Sequence, residues 1–391
     1  MPKTSKRFEF IPPYLFAEID KKKAAAIARG VDIINLGIGD PDKPTFPHIV
    51  EAMHKAIDDP STHNYPPYEG IARFRQAVAT WYQSRFGVTL DPNEEVVSLI
   101  GSKEGIAHLL SAYLDPGDIV LVPSPGYPVY KMGTILTGGT PYYVPLKESN
   151  GFLPDLDSIP TDIANKAKIF YVNYPNNPTA AVADLSFYKR LVAWAQKYDL
   201  LIASDLAYSE MTYDGYIAPS ILEVDGAKDI AIEFHSLSKS FNMTGWRIGM
   251  AVGNKEAIRA LGTIKTNVDS GIFKAIQEAG IVALTTPAPQ IEQNNLIYKE
   301  RRDVLTDGLN RLGWNLSPIK ATFYVWAPVP KGYDSASFCS KVLEDCGIVV
   351  VPGSGYGPEG EGYFRVALTE SVPRIQEALT RLKEKGVRFI A

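Results

Sequence analysis

Apolar positions in the middle of the chain form short, unbroken runs that are separated by longer stretches with helical spacing. These runs predict strands at residues 96–100, 119–122, 169–173, 200–203, 230–234 and 248–252. Residues 102–114 and 185–197 are two of the helices predicted between them. Short apolar strands that alternate with helices are typical of a mainly parallel sheet covered by helices on both faces.

The pattern differs on either side of this region. Residues 14–29 predict an amphipathic helix with Leu15, Ile19 and Ile27 as its apolar positions and lysines 21–23 exposed. A short strand at 32–36 and a helix at 70–86 follow. Beyond about residue 285 the pattern predicts a polar helix at 290–312, strands at 323–326, 348–351 and 364–368, and a last helix from 372. That order is typical of a smaller α+β domain.

Composition narrows the possible functions. The chain has 391 residues, of which 45% are hydrophobic and 21% charged, enough for one large and one smaller domain. A net charge of −4 argues against a broad nucleic-acid surface. The N-terminal region has no signal-peptide pattern, and no apolar run approaches membrane-spanning length. We therefore expect a cytoplasmic protein with neither nucleic-acid nor membrane partners.

The two cysteines, Cys339 and Cys346, do not form a disulfide framework. They lie seven positions apart, which would place them on one face of a helix as small core residues. Low cysteine usage also fits a reducing compartment. We expect no metal site in this chain.

Polar motifs recur where the predicted strands end, and in open α/β sheets ligands bind at the carboxyl ends of strands. The motif Gly-Ser-Lys-Glu-Gly at 101–105 opens a helix, so Ser102 and Lys103 are candidates for binding an anion at its N-terminus. The alternative is an ordinary cap made by Ser102, with Glu104 complementing the helix dipole.

Three further strand ends carry candidate residues. Tyr127, between prolines in Ser-Pro-Gly-Tyr-Pro, is suited to stacking on a flat ring, or is simply a packing residue in a turn. Asn177 precedes a proline, which disfavours the helical conformation and directs its amide away from the loop, unless the segment is only a rigid polar turn. Asp205 and Tyr208 follow the next strand; a carboxylate there needs a partner such as a protonated pyridine, the alternative being a helix cap.

The most informative segment is Ser-Leu-Ser-Lys-Ser-Phe-Asn-Met-Thr-Gly-Trp-Arg-Ile-Gly at 236–249. Lys239 stands among hydroxyl side chains, including Ser236 and Ser238, and Arg247 follows eight residues later. A lysine that forms an imine with an aldehyde cofactor needs anion-binding groups nearby to hold that cofactor's phosphate. The alternative, a polar strand end before a buried strand, explains the lysine but not its combination with the other motifs.

Together with Tyr65 in Asn-Tyr-Pro-Pro-Tyr-Glu-Gly and Arg365 in Tyr-Phe-Arg-Val-Ala, these motifs resemble fold-type I pyridoxal-phosphate aminotransferases over nearly the whole chain. The resemblance implies an aspartate aminotransferase-like α/β fold. Its large domain, at 46–285, has a mainly parallel seven-stranded sheet sandwiched by helices. A smaller α+β domain spans 286–391, and an N-terminal segment, 1–45, packs with it. One departure is Ala180, where the family usually has glycine after Asn-Pro-Thr.

The same resemblance assigns roles to the motif residues. Lys239 is the Schiff-base lysine, Asp205 pairs with the pyridine nitrogen, and Tyr208 and Asn177 pair with the ring hydroxyl. Tyr127 stacks on the ring, and the phosphate side is held by Ser102, Lys103, Ser236, Ser238 and Arg247. Arg365 binds the substrate carboxylate close to Gly39. Tyr65 and Asn267 reach across from a second subunit, which implies a homodimer with shared active sites.

Within the family, the segments 12–19 and 35–42 resemble LL-diaminopimelate aminotransferases. That resemblance makes Tyr14 and Lys103 candidate substrate contacts, with Tyr14 as an N-terminal hydrophobic anchor being the alternative. It implies conversion of tetrahydrodipicolinate and glutamate to LL-diaminopimelate and 2-oxoglutarate in lysine biosynthesis. Aminotransferases for alanine, aspartate or methionine remain alternatives. A carbon–sulfur lyase with the same cofactor residues is a further alternative. A third is a ligand sensor in a transcription regulator, but such proteins carry an added DNA-binding domain, and no basic helix pair in this sequence indicates one.

Overall fold

The computed structural model describes residues 1–11 and 15–390, with only the backbone for residues 15–18. Its α-helices are α1 (Leu15–Ala28), α2 (Pro47–Ile57), α3 (Ala72–Phe86), α4 (Ser102–Tyr113), α5 (Pro128–Thr137), α6 (Thr161–Ala164), α7 (Leu185–Lys197), α8 (Leu237–Ser240), α9 (Lys255–Val268), α10 (Lys274–Leu284), α11 (Ala288–Arg311), α12 (Ser335–Cys346) and α13 (Val372–Glu384). Its strands are β1 (Ile34–Asn35), β2 (Val96–Leu99), β3 (Ile119–Ser124), β4 (Thr140–Pro145), β5 (Ala167–Asn173), β6 (Leu201–Asp205), β7 (Ala231–Ser236), β8 (Gly249–Gly253), β9 (Tyr324–Pro328), β10 (Ile348–Val349), β11 (Val351–Pro352) and β12 (Tyr363–Ala367).

A seven-stranded sheet occupies the centre of the molecule, in the order β2-β8-β7-β6-β5-β3-β4. Strand β8 is antiparallel to both neighbours, and the other pairs are parallel. The mainly parallel sheet predicted from the apolar runs is therefore confirmed. The run-based prediction missed β4, because this edge strand leaves most of its residues partly or fully exposed and so lacks an unbroken apolar run.

Side chains from successive strand residues enter two different cores, one on each face of the sheet. Phe170 on β5 and Ile202 on β6 belong to one core, while their neighbours Tyr171 and Ala203 belong to the other. This alternation follows from the period of two along a strand. Helices cover both cores, so the sheet is sandwiched as expected.

A third core lies among the C-terminal elements. Ile34 on β1 and Leu36, just after it, pack there with residues of α11, α12 and α13 and of strands β9, β10 and β12. Two small sheets contribute residues to this core. Strand β1 pairs parallel with β10, and β11, β12 and β9 form an antiparallel sheet. The predicted strand at 348–351 is thus divided between two sheets. The domain limits at 45 and 285 stay a prediction.

Helix α1 differs from its predicted orientation. Ile27, predicted as apolar and inward, is 54% exposed. The inward positions are Ile19, Lys23 and Ala26, whose spacing of four and then three places them on one face of the helix. Lys22 donates to the Ser340 hydroxyl at 2.8 Å and so ties α1 to α12. Among the described residues, no helix combines the length and the apolar character needed to cross a membrane.

Candidate active site

A cavity of about 660 Å³ lies where the carboxyl ends of β5, β6 and β7 meet the start of α4 and the C-terminal core. Its walls bring together most of the residues predicted from the sequence: Gly39, Ser102, Lys103, Tyr127, Asn177, Asp205, Tyr208, Ser236, Ser238, Lys239, Arg247 and Arg365. These residues come from segments far apart in the chain. The candidate residues at these strand ends therefore line one shared cavity, as the position of ligand sites in open α/β sheets predicts.

Three predicted residues are not among the described walls of this cavity. Tyr65 is 84% exposed, and Asn267 is exposed at the end of α9, with its amide donating to the Thr263 carbonyl at 2.8 Å. Both were predicted to serve a second subunit, so exposure in a single chain is compatible with that role. Tyr14 lies outside the described residues.

Asp205 ends β6 and is only 5% exposed. Its Oδ2 accepts a hydrogen bond from the Tyr130 hydroxyl at 2.7 Å, while the buried Oδ1 has no hydrogen-bond partner among the described residues. Burial raises the pKa of this carboxyl to about 6, against the lowering effects of the Tyr130 hydroxyl and, more weakly, of the Ala207 backbone amide. The chain continues into turns at 207–210, so Asp205 does not cap a helix. A buried acceptor without a partner is suited to an N–H donor from a ligand.

Arg365 is 2% exposed, although its guanidinium reaches the cavity. Its Nη1 donates to Asn177 Oδ1 at 2.9 Å and its Nη2 to the Gly37 carbonyl at 2.9 Å. The guanidinium also lies 4.1 Å from the centroid of the Tyr324 ring. Fixed in this way, the fork is oriented in advance for binding a carboxylate.

Tyr324 also explains why position 39 is glycine. A Cβ at Gly39 would lie 2.5 Å from the Tyr324 hydroxyl, which is too close for any other residue. The same hydroxyl is 3.1 Å from that of Tyr208. Lys239 Nζ donates to the Gly39 carbonyl at 2.6 Å and lies 3.4 Å from Asp40 Oδ1. The lysine amine therefore lies beside the segment predicted to approach the substrate carboxylate.

The anion-binding side is built from the start of α4 and from α8. The N-cap of α4 is Gly101, so the alternative in which Ser102 caps this helix is wrong. A Cβ on Gly101 would overlap the guanidinium of Arg247, so these two residues pack together only because position 101 is glycine. Ser236 accepts from the Ser238 amide at 3.2 Å, and the Ser238 hydroxyl is buried without a partner.

Sequence reasoning missed Tyr130 and Asn173. Tyr130 follows Tyr127 by three positions and is the hydroxyl donor to Asp205. Asn173 accepts from the Asn177 amide at 2.8 Å and donates to the Asp205 carbonyl at 2.8 Å, and so it orders two site loops at once. The only signal for Tyr130 was its spacing from Tyr127, which places both near the start of one helix.

Position 180 adopts a left-handed conformation, with φ of 58°. This backbone region favours glycine, the residue that the family usually has there. Ala180 keeps the turn, donating its amide to the Asn176 carbonyl at 2.9 Å. The departure noted in the sequence therefore leaves the loop with the shape that a glycine would adopt.

Comparison with known proteins agrees with this geometry. The curated LL-diaminopimelate aminotransferase 2 of a Nostoc species is 58% identical over 386 residues, covering 98% of this chain and 99% of that protein. A substrate-bound structure of BacF from Bacillus subtilis has a TM-score of 0.96 at 37% identity, covering both chains completely. A Thermus thermophilus aspartate aminotransferase mutant has a TM-score of 0.92 at 30% identity, over 98% of this chain and 100% of that one.

The fold expectation, an aspartate aminotransferase-like architecture, is thereby confirmed. Residues 31–382 match the family described as aminotransferase class I and II. This match covers the large sheet, most of the cavity walls and most of the C-terminal core. The chain belongs to the aminotransferase class I and II family.

Proposed function

We propose that this protein is an LL-diaminopimelate aminotransferase that uses pyridoxal phosphate and transfers an amino group between LL-diaminopimelate and 2-oxoglutarate. In the biosynthetic direction it would use tetrahydrodipicolinate and glutamate, in lysine biosynthesis. The observation that carries the cofactor assignment is the buried Asp205 with an oxygen that has no partner, facing the same cavity as Lys239. The high identity to a full-length relative of that name supports the substrate.

The residues of the cavity fit this cofactor group by group. The unpartnered Asp205 Oδ1 suits a protonated ring nitrogen, and Asn177 and Tyr208 suit the ring hydroxyl. Tyr127 supplies a flat face for the ring. At the phosphate side, Ser102, Lys103, Ser236, Ser238 and Arg247 line the same cavity, and the Ser238 hydroxyl is buried without a partner. Free N–H groups at the start of α4 add to this anion site.

When bound, the cofactor supplies an electron sink for the electrons of the bond broken at the substrate α-carbon. Asp205 keeps the ring nitrogen protonated, because a buried carboxylate favours a cation beside it. Lys239 moves the proton of the substrate α-carbon as a general base and acid. Arg365 holds the substrate carboxylate with two parallel hydrogen bonds and so orients the reacting bond.

The charges of the cavity support a substrate with two ionic ends. Asp20 and Lys23 of α1 line the cavity and form an ion pair of 2.6 Å, and Lys103 lines it as well. LL-diaminopimelate carries an ammonium and a carboxylate at each end, so it can bind Arg365 with one end and charged wall residues of both signs with the other. Alanine and methionine have no such second ionic group.

We further propose a homodimer in the cytoplasm, with each active site completed by Tyr65 and Asn267 of the partner chain. Exposure of both residues in the single chain supports this arrangement. Cys339 and Cys346 are buried free thiols, as is usual in a reducing compartment.

The test is amino transfer from LL-diaminopimelate to 2-oxoglutarate by the purified, cofactor-loaded protein, with glutamate as the readout. We expect a value of kcat/KM at least ~100-fold above those for alanine and methionine, which lack a second ionic group, and for aspartate, which lacks the second ammonium, since loss of a charged binding group costs about 3 kcal/mol. Faster transfer from one of those three donors would reassign the substrate. Pyruvate release from cystathionine without any keto acid would instead identify a lyase.

A further inference from the structure

A buried lysine outside the cavity connects two parts of the protein that the proposed function places in different active sites. Lys265, on α9, is fully buried. Its Nζ donates to Glu104 Oε1 at 2.9 Å and to Asp269 Oδ2 at 3.0 Å. His108 Nδ1 lies 2.8 Å from the same Glu104 oxygen. Glu104, His108 and Asp269 lie close enough together to hold a metal ion. Because the Lys265 ammonium bonds to Glu104 and Asp269, the cluster is instead a network of ion pairs.

In one direction the network reaches the anion-binding side of the cavity. The second oxygen of Glu104, Oε2, accepts from the Ile100 amide at 3.0 Å. The Ile100 carbonyl in turn lies 3.5 Å from Arg247 Nη2. Ile100 immediately precedes Gly101 and Ser102. Lys265 therefore fixes, through Glu104, the turn that presents the start of α4 to the cavity.

In the other direction the network reaches the loop that carries Tyr65. Asp269 Oδ1 accepts from the Gly271 amide at 2.7 Å. The buried Gln277 then donates to the Ile272 carbonyl at 2.7 Å and accepts from the Ile71 amide at 2.8 Å. These bonds join the segment after α9 to the end of the loop 65–71.

Packing adds a second link between the same two segments. A Cβ placed on Gly271 would lie 3.1 Å from the Pro66 ring, so the two backbones are in close contact. Tyr65 itself is 84% exposed and is not among the described residues that line the chain's own cavity. In this second direction the network therefore reaches the loop that carries an exposed tyrosine, whereas in the first it reaches the chain's own cavity.

We propose that Lys265 is a positioning residue that sets the phosphate-binding turn of its own active site and, through Asp269 and Gln277, the Tyr65 loop offered to the partner's active site. This inference rests on the proposed function, which makes the protein a dimer with shared sites. The buried ammonium of Lys265 would then position residues of two active sites, that of its own chain and that of the partner chain. Its loss would weaken cofactor binding at both. Buried charges of this kind hold their partners rigidly because an unpaired partner is strongly disfavoured.

The first experiment measures cofactor affinity in homodimers, by titrating pyridoxal phosphate into the apoprotein. We expect Lys265→Met to weaken binding at least ~10-fold and Lys265→Arg, which keeps the charge, to restore most of it. Lys255→Met, an exposed position on the same helix, is the matched control and should bind as the wild type does. Equal affinities for the Lys265→Met and wild-type proteins would overturn the proposal.

The second experiment uses mixed dimers in which one subunit carries Lys239→Ala. Borohydride reduction then fixes the cofactor covalently on the only remaining Lys239, and mass spectrometry measures the trapped fraction at each cofactor concentration. Lys265→Met is placed either in the trapping subunit or in the other one. We expect at least ~5-fold weaker trapping in both arrangements. An effect in the trapping subunit alone would overturn the coupling between sites.

Gln277→Met keeps the ion pairs and breaks only the link to the Tyr65 loop, so it remains usable if Lys265→Met does not fold. It should weaken trapping only from the non-trapping subunit; an effect confined to the trapping subunit, or no effect, contradicts the proposal. Tyr65→Phe in the non-trapping subunit checks the shared site itself. If Tyr65→Phe has no effect, the shared site is wrong; if it acts but Lys265→Met in that subunit does not, only the positioning role of Lys265 is wrong.

Discussion

Two buried carboxylates on neighbouring strands have opposite relations to their surroundings. Asp205 at the end of β6 has one oxygen bonded to Tyr130 and one without a partner, which lies at the cavity. Glu233 on β7 is completely buried, and both of its oxygens are satisfied. Its Oε1 accepts from Tyr82 at 3.2 Å and Ser220 at 2.6 Å, and its Oε2 from Ser204 at 3.0 Å and the Ile221 amide at 3.2 Å.

Burial alone does not distinguish these two groups, because it raises the pKa of both. The pKa of Asp205 is raised to about 6 and that of Glu233 to about 7, in each case chiefly by desolvation. The two carboxylates differ in how many hydrogen bonds they accept: both oxygens of Glu233 accept hydrogen bonds, whereas Oδ1 of Asp205 has no partner among the described residues. A carboxylate whose partners are complete supports the fold, whereas one with an unused acceptor at a cavity is ready for a ligand.

The largest expected effect comes from Asp205→Asn. An amide cannot hold a protonated ring nitrogen, so kcat should fall at least ~1000-fold, equivalent to about 4 kcal/mol. The midpoint temperature of thermal unfolding should not fall, because a neutral amide replaces a charge that is costly to bury. Steady-state kinetics and a melting curve on the same preparation check both expectations. A kcat within tenfold of the wild-type value would show that Asp205 is no more important for catalysis than Glu233 is expected to be. The proposed difference between the two carboxylates would then be wrong.

Tyr130→Phe sharpens the comparison by removing the one side-chain donor to Asp205 among the described residues. We expect about a tenfold loss of kcat/KM, since a hydrogen bond to a charged group contributes about 1.5 kcal/mol. Tyr171→Phe is the matched control: its ring stacks on Tyr130 at 4.8 Å between centroids, but its hydroxyl donates to the Ile106 carbonyl. Equal losses in the two variants would attribute the effect to packing.

Glu233→Gln should show the reverse profile, affecting stability and sparing activity. The amide nitrogen of glutamine cannot accept hydrogen bonds, so at least one buried donor is left unsatisfied, at a cost of about 1–3 kcal/mol in the free energy of unfolding. Urea unfolding near pH 6 measures this loss, and kcat/KM should stay within about twofold. A large fall in kcat/KM with unchanged stability would reverse the assigned roles.

The last prediction concerns the pH dependence of stability in the apoprotein. The pKa of Glu233 is raised from 4.5 to about 7, so the folded state binds more protons than the unfolded state between these values. Its contribution to stability is therefore full below pH 4.5 and is lost as the pH rises through 7. The difference in unfolding free energy between wild type and Glu233→Gln should fall by at most ~3 kcal/mol over that interval. A difference that rises with pH would contradict the assignment.

The sequence predicted the fold where strands are buried on both faces. Strands β5 and β6 read as unbroken apolar runs because helices cover both sides of them. Strand β4 was missed because an edge strand can leave polar or exposed positions in its pattern. For α1 the prediction was right at Ile19 but wrong at Ile27 and Lys23, for a related reason: Lys23 lines a polar cavity, which an analysis of apolar spacing does not consider.

The site was predicted where one residue type at a strand end has a specific chemical use, as at Asp205 and Lys239. It was not predicted where a role depends on partners that only the fold brings together. Lys265 pairs with Glu104, 161 positions away, and in the sequence it is indistinguishable from an exposed helical lysine. The roles of Tyr130 and Glu233 were missed for the same reason, because each role depends on the hydrogen-bond donors and acceptors that the fold places around the side chain.

Ala180 carries a lesson for the recognition of distant family members. Its left-handed backbone is held by local hydrogen bonds, including that from its amide to the Asn176 carbonyl, although alanine disfavours this conformation by roughly 1 kcal/mol. The loop therefore has, at an alanine, the left-handed backbone conformation that glycine adopts most easily. A motif search that requires glycine after Asn-Pro-Thr would reject this chain, whereas a search for the backbone path of the loop would find it.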